Sequence, residues 1–516
     1  MLSRRRFLML SGQASLSLAV LGCATSPPLR KEAFADFGDP ARPYLGLATS
    51  LRNEYSYEAR IEGQIPAQLR GTLYRNGPGL FDRGEMRKRN LLDGDGLVQS
   101  FRFHDNGVHY RNRFVRTQKF IDEERAGRFV YPSWSTQAPG GMLANFMAPG
   151  RLKSQAGITV FYWRKRLYAF DECALPYELD PDTLETSGLS LLGLPEDMTI
   201  YAAHAKMDPF SGEWLHFGVR YGPSPKIHIT IFKPDGSLKQ HRSVPLPRNV
   251  YMHDWFVSAR HLILNLHPAE ISYLGFMLGY SSMADSLRWQ PEKGNLVMVF
   301  DREGDKPPLF LETPARYMWH SFNAYERGAE IIAEFIGYHN PDHFIGADPV
   351  VSAVMMGRRG EYAWPGEVRR YLIDPSARTI RDEKIASGSY EWPRINELLR
   401  GRCCRFGYMA KTARGEFFWS LICRIDLHTG RMENFDFGAG CYCSEPVFVP
   451  IPRVAYSAED SREAGFLLTE VYDSGTKKSF LAVLRADCLS AGPIARVHLS
   501  HHVPFSYHGW WHAQRA

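Results

Sequence analysis

The stretch Gly157–Phe170 reads GITVFYWRKRLYAF, two apolar runs on either side of Arg164-Lys165-Arg166. Runs of β-branched and aromatic residues split by a short polar break predict two strands joined as a hairpin. The same pattern extends outward through Gly212–Tyr221 (GEWLHFGVRY), Lys226–His241 (KIHITIFKPDGSLKQH) and His261–Leu266 (HLILNL). Between such runs stand Asp180-Pro181-Asp182, Asp208-Pro209-Phe210-Ser211-Gly212, Lys233-Pro234-Asp235-Gly236, Asp374-Pro375 and His428-Thr429-Gly430. There Asp, Pro and Gly supply the dihedrals of tight turns. One hairpin follows another, and the expected class is all-β.

No helix of three clear turns with caps stands out, no G-x-G-x-x-G lies between a strand and a helix, and no Walker sequence occurs, which disfavours a nucleotide enzyme. The chain has 516 residues, beyond the size at which one compact core usually stops growing. Two or three domains, or one large closed β architecture, are the candidates. Hydrophobic content of 44% with 23% charged residues describes an ordered globular protein, and 44 glycines with 33 prolines lean toward many turns. Strands with short hairpins over most of the length fit a β-propeller, whose radial blades leave only short, protected edges. No repeat of fixed length is visible, so periodicity gives no blade count.

The first 28 residues, MLSRRRFLMLSGQASLSLAVLGCATSPP, stand apart. Ser3-Arg4-Arg5-Arg6-Phe7-Leu8 resembles a twin-arginine export signal, and the apolar stretch from Ala14 to Gly22 is too short to be a stable span. Val20-Leu21-Gly22-Cys23 further resembles a lipoprotein cleavage box, although Leu21 is not the small residue most such boxes carry. We therefore expect a signal over residues 1–23, a linker over 24–45 and one domain over 46–516. The mature protein is expected in the periplasm, with lipid anchoring through Cys23 as the alternative to free release. Removing residues 1–22 takes away three arginines and no acids, lowering the net charge from +6 to +3. No basic run survives, so nucleic acid is a poor partner.

Twin-arginine export carries folded proteins, often with a cofactor already bound, which hints at a metal. The cysteines do not supply its site: Cys173, Cys403, Cys404, Cys423, Cys441, Cys443 and Cys488 match neither a zinc nor an iron-sulfur spacing. Nor does Cys441-Tyr442-Cys443 have the geometry of a disulfide along one strand. Histidine is the remaining donor. Of 18 histidines, four lie beside aromatic residues at strand starts: His204, His253, His320 and His508, the last only eight residues from the C-terminus. Taken singly, each is more often a satisfied core residue than a ligand. In a propeller the inner strands of successive blades open onto one axis, so these four could converge.

The motifs GTLYRNGPGLF, LLDGDGLVQSFRF, HAKMDPFSGE, MHDW, WHSFNAYE, YEWPRIN, EPVFVP and YHGWW, in that order from about Leu45 to the end, resemble those of the carotenoid cleavage oxygenases. That family includes bacterial apocarotenoid- and stilbene-cleaving enzymes and the vertebrate retinoid isomerase. The resemblance implies a seven-bladed β-propeller with a helical and loop cap over the metal site. It further implies a non-haem ferrous iron, Fe(2+), held on the axis by His204, His253, His320 and His508. By the same likeness Glu172, Glu391 and Glu445 would each accept the second N–H of a ligand histidine, which fixes the ring and raises its basicity. The apolar neighbours Phe170, Trp392 and Phe448 support interior positions for them, because an unpaired interior carboxylate is costly.

The implied reaction is cleavage of a C=C bond in a conjugated chain by O2, giving two carbonyl products. The alternatives are cleavage of stilbenes or other phenylpropenoids, and non-oxidative isomerisation. The implied partner is a small apolar polyene in an apolar tunnel. Ile271–Tyr280 (ISYLGFMLGY) reads as a buried helix or cap, or as a tunnel mouth in peripheral membrane contact. Stilbene-cleaving relatives are expected to carry a lysine just before the glutamate that matches Glu172, where this chain has Asp171. That acid is expected to disfavour phenols, and Ile158 is expected to shape access to the metal.

Overall fold

The protein is described from a computed structural model. It covers residues 25–30, 39, 41–105, 107–147, 152–172, 174–304, 306–358, 360–412, 414–457 and 463–514. The expected export signal, Cys23 and Cys173 lie outside these residues.

The hairpin at Gly157–Phe170 forms as expected: strands Thr159–Trp163 and Arg166–Phe170 pair antiparallel, with Arg166 opposite Trp163. The turn is two residues, not three, and Arg166 belongs to the second strand. Arg164 and Lys165 both have positive φ, +49° and +62°. This is the left-handed pair that matches the right-handed twist of flanking strands, a place usually taken by Asn-Gly. The other turns use ordinary chemistry. Asp180 accepts the backbone N–H of Asp182 and Thr183, Asp374 does the same for Ser376 and Ala377, and Gly236 and Gly430 turn at φ +88° and +74°.

Among the described residues seven sheets of four or more strands follow one another along the chain, all antiparallel, with two smaller sheets beside them. Two of the seven join the ends of the chain. Strand His508–Ala513 pairs with Gly71–Leu80, setting His508 opposite Asn76. Strand Arg60–Gly63 pairs with Pro493–His498. Each end thus completes a sheet begun by the other, leaving neither end strand unpaired.

Strand interiors supply the packing. Leu73, Phe101, Phe103, Val108, Leu481, Val483 and Val497 are fully buried in one cluster, and a larger one gathers tryptophans, tyrosines and phenylalanines around the site described next. Helices are short. Gln118–Ala126 is capped by Thr117, whose hydroxyl accepts the Phe120 N–H, and is closed by Gly127 at φ +61°. Within Ile271–Tyr280 only Tyr273–Met277 is helical. It is a cap element rather than a core helix: Phe276 is buried but Leu274 is 71% exposed.

Candidate metal centre and its slot

Topology explains how histidines far apart in sequence meet. His320 lies in strand Tyr317–Arg327 and His508 opens strand His508–Ala513; His204 and His253 directly precede strands Lys206–Met207 and Phe256–Val257. Every one of these strands stands at an edge of its sheet, as does Tyr390–Arg394, which carries Glu391. The four edges face one another. One ring nitrogen from each histidine lies within 4.8 Å of the others, and all four residues are buried. Nε2 of His253 is 3.0 Å from Nε2 of His204 and 3.1 Å from Nε2 of His320.

Three of the four rings are oriented from behind by carboxylates. Nδ1 of His253 lies 2.7 Å from Glu172 Oε2, Nδ1 of His320 2.9 Å from Glu391 Oε1, and Nδ1 of His508 2.9 Å from Glu445 Oε1. These are the glutamates named from sequence, each with its own histidine. With Nδ1–H of these three rings donated outward, their Nε2 lone pairs are left to turn inward, and a ring nitrogen of His204 joins them within 4.8 Å. Burial and the neighbouring histidines push His204 and His320 well below the ordinary imidazole range, and burial likewise lowers His508 against the opposing pull of Glu445. A cluster of neutral imidazoles with convergent lone pairs is the donor set of a transition-metal site.

The glutamates are not equivalent. Burial raises Glu172 and, more strongly, Glu391. Burial also acts on Glu445, but Arg394 and His508 outweigh it and hold this carboxyl below its usual range. Tyr338 donates to Glu391 Oε2, and the Trp392 N–H donates to Oε1 across 3.0 Å. Trp392 sits at φ +61°, a strained conformation for a bulky residue. Its ring lies against both His320 and His508, at centroid distances of 5.0 and 5.1 Å.

A second buried network escaped the sequence reading. Asp254, next to His253, accepts from Lys206 Nζ at 2.6 Å and from the N–H and hydroxyl of Ser321 at 2.8 and 2.7 Å. Lys206 is two residues from His204, and Ser321 follows His320. One carboxylate therefore ties together the segments that bear three of the histidines. The adjacency of His and Asp in MHDW was its only signal.

The cluster borders a narrow slot of about 70 Å³ lined by His253, His320, His343, His508, Glu391, Ile158, Leu91, Leu92, Val351 and the aromatic residues Trp319, Trp364, Trp392, Phe417, Trp419, Phe505 and Tyr507. Ile158 is where the sequence placed it. Asp171 is not. Its carboxylate accepts the backbone N–H of Gln155 at 2.6 Å and of Glu172 at 2.7 Å, bracing the loop that carries Glu172, and it does not line the slot. The expectation that it repels a phenol is therefore withdrawn.

A β-sheet protein with four convergent histidines and three carboxylates behind them is a metalloprotein, with an apolar slot beside the metal position. Its lineage is equally plain. Residues 48–513 match the family model described as retinal pigment epithelial membrane protein, and the chain belongs to that family, the carotenoid cleavage oxygenases. It is 30% identical over 500 residues to the apocarotenoid-15,15'-oxygenase of Synechocystis sp., covering 94% of this chain and 99% of that one. It is 26% identical to the isoeugenol monooxygenase of Pseudomonas nitroreducens, covering 88% and 94%. A solved structure of cobalt-substituted Synechocystis apocarotenoid oxygenase superimposes with a TM-score of 0.85 at 29% identity, covering 92% of this chain and 98% of that one.

Proposed function

We propose that the protein is an iron-dependent dioxygenase that cleaves a C=C bond of an apocarotenoid or carotenoid into two carbonyl products. In this reading His204, His253, His320 and His508 are the ligands, Glu172, Glu391 and Glu445 orient them, and the seven large sheets are the blades of a propeller around the metal. The carrying observation is the inward convergence of four buried imidazoles at the wall of an aromatic slot. Ferrous iron suits neutral imidazoles and would supply the activation of dioxygen that no organic group in the slot offers. The chain's part is to hold the rings, exclude water and align a conjugated chain beside the centre. No lysine lines the slot, and its one carboxylate, Glu391, is engaged by Tyr338 and His320, so recognition rests on apolar contact. Burial of apolar surface at about 25 cal/mol per Å² favours a long polyene.

The slot is smaller than the roughly 300 Å³ of a small ligand pocket, so aromatic side chains must part on binding. Its size and the relative named isoeugenol monooxygenase favour one second reading, a phenylpropenoid substrate. The deciding experiment offers the purified iron-loaded protein an apocarotenal and a hydroxystilbene solubilised alike, with products identified by mass. Rapid cleavage of the apocarotenal supports the first reading, and cleavage of the stilbene alone supports the second. Replacing His253 with Ala should remove the bound iron by metal analysis; full iron content and activity in that variant would refute the ligand assignment.

We further infer that the protein works at a membrane surface of the exported compartment. Leu274, Leu278 and Tyr280 are exposed beside the equally exposed Leu143, Phe146 and Met147. The two segments are joined by the Met147 N–H on the Met277 carbonyl at 2.8 Å. Thr25, two residues after Cys23, docks here too: its N–H lies 3.0 Å from the Tyr280 carbonyl. An acyl chain on Cys23 would leave the protein beside this patch, giving the two signals that stable anchoring requires. Phe146→Glu with Leu274→Glu should lower co-flotation with lipid vesicles while leaving cleavage of a detergent-solubilised substrate intact. Equal flotation of variant and wild type would refute the contact.

A further inference from the structure

The slot touches three of the four histidines, His253, His320 and His508. A separate chamber of about 40 Å³ touches His204 and His508, with Lys206, Arg394, Glu397 and Arg400 among its walls. Its charges are paired. Arg400 holds Glu397 through two contacts of 2.5 and 2.8 Å, Arg394 lies 3.4 Å from Glu397 and 3.5 Å from Glu445, and Lys206 is bound to Asp254.

Met207, Arg394, Glu397 and Trp510 also line a neighbouring, wider cavity of about 210 Å³, so these four side chains form the wall that the two cavities share. The outer cavity has a different character: beyond the shared residues its walls include Pro209, Val447, Phe448, Pro450 and Trp511. It ends at the exposed C-terminal residue of the last strand, Ala513. From the outer cavity to the inner chamber the walls change from largely apolar residues to Lys206, Arg394, Glu397 and Arg400, each in an ion pair.

These dimensions select the traveller. A polyene does not fit in the inner chamber, and an ion entering it would meet charges already neutralised and would lose its hydration. A small, neutral, weakly hydrated molecule suffers neither penalty and partitions into the apolar vestibule. The established chemistry of the family needs one such molecule. A polyene seated in a slot this narrow leaves little room to pass, so a co-substrate arriving after it needs another way in.

We propose that this channel, from the vestibule at Trp510, Trp511 and Ala513 through the chamber at Lys206 and Arg400, is the route by which dioxygen reaches the metal position while the slot is filled. The proposal rests on the oxygenase reading above, and its test separates the two. Met207→Trp narrows the junction and Ala513→Trp the mouth, and neither residue lines the slot. Crystals of metal-free wild-type protein pressurised with xenon should show the gas in the vestibule and chamber, and Met207→Trp should lose it from the chamber. In the iron-loaded enzyme both variants should raise KM for dioxygen several-fold, with KM for the polyene and the iron content unchanged. Xenon confined to the slot in wild-type crystals, or an unchanged KM for dioxygen in both variants, would overturn the channel. Failure of wild-type protein to cleave any polyene would instead overturn the oxygenase reading.

Discussion

Glu391 holds the His320 ring, the Tyr338 hydroxyl and the Trp392 N–H at once, so its charge and its shape can be separated. Glu391→Gln keeps the shape and loses the charge. Metal affinity or turnover should fall by roughly 10- to 100-fold, the usual cost of losing an outer-shell partner, as read by metal titration and steady-state rates. Unchanged values would mean that His320 needs no carboxylate behind it. At this scale the sequence was informative where a motif surrounded the residue: the four histidines, Glu391 and Glu445 stand in recognisable strings, and three of the histidines each meet a glutamate. It was uninformative where the partner comes from elsewhere. Lys206 and Ser321 carry no mark of their bonds to Asp254, and Asp171 beside Glu172 shows nothing of its carboxylate turning to the backbone of Gln155.

Strand His261–Leu266 and the hairpin of Gly157–Phe170 were legible because alternation and turn residues are local properties. The conformation of Arg164-Lys165 was not, since neither residue favours positive φ. Asn-Gly at these two positions should stabilise the protein by about 1 kcal/mol, the scale of the left-handed penalty for an L-residue, seen as a higher denaturant midpoint with an unchanged slope. A lower midpoint would show that the Arg164 contact with Trp163, 5.7 Å from guanidinium carbon to ring centroid, outweighs the turn strain. Asp254 belongs to the same scale, because it fastens the segments that bear His204, His253 and His320. Asp254→Ala leaves Lys206 buried without its partner and should cost about 3–5 kcal/mol, measured by chemical unfolding. A loss within a few tenths would mean that the network is ornamental to the fold.

Closure is a property of the whole molecule. The strand carrying His508 pairs with Gly71–Leu80, so the final ligand and the final sheet contact come from the same few residues. Deleting residues 508–516 should abolish iron retention and lower the unfolding temperature together, as followed by metal analysis and calorimetry. Loss of iron at a wild-type melting temperature would separate the two roles. This closure explains why the sequence yields no blade count. Two sheets borrow strands from the opposite end of the chain, and helical insertions such as Gln118–Ala126 break any spacing. The all-β class was legible from local pattern, which also suggested a propeller; a count of seven blades came only from likeness to relatives.

The most direct test of the account is cleavage under isotopically heavy dioxygen. Iron-loaded protein given an apocarotenal should release two carbonyl products, each carrying one heavy oxygen when analysed rapidly by mass spectrometry, and the His253→Ala variant should release none. Products with oxygen from water alone, an isomer with the carbon chain intact, or equal cleavage by the metal-free variant would contradict it.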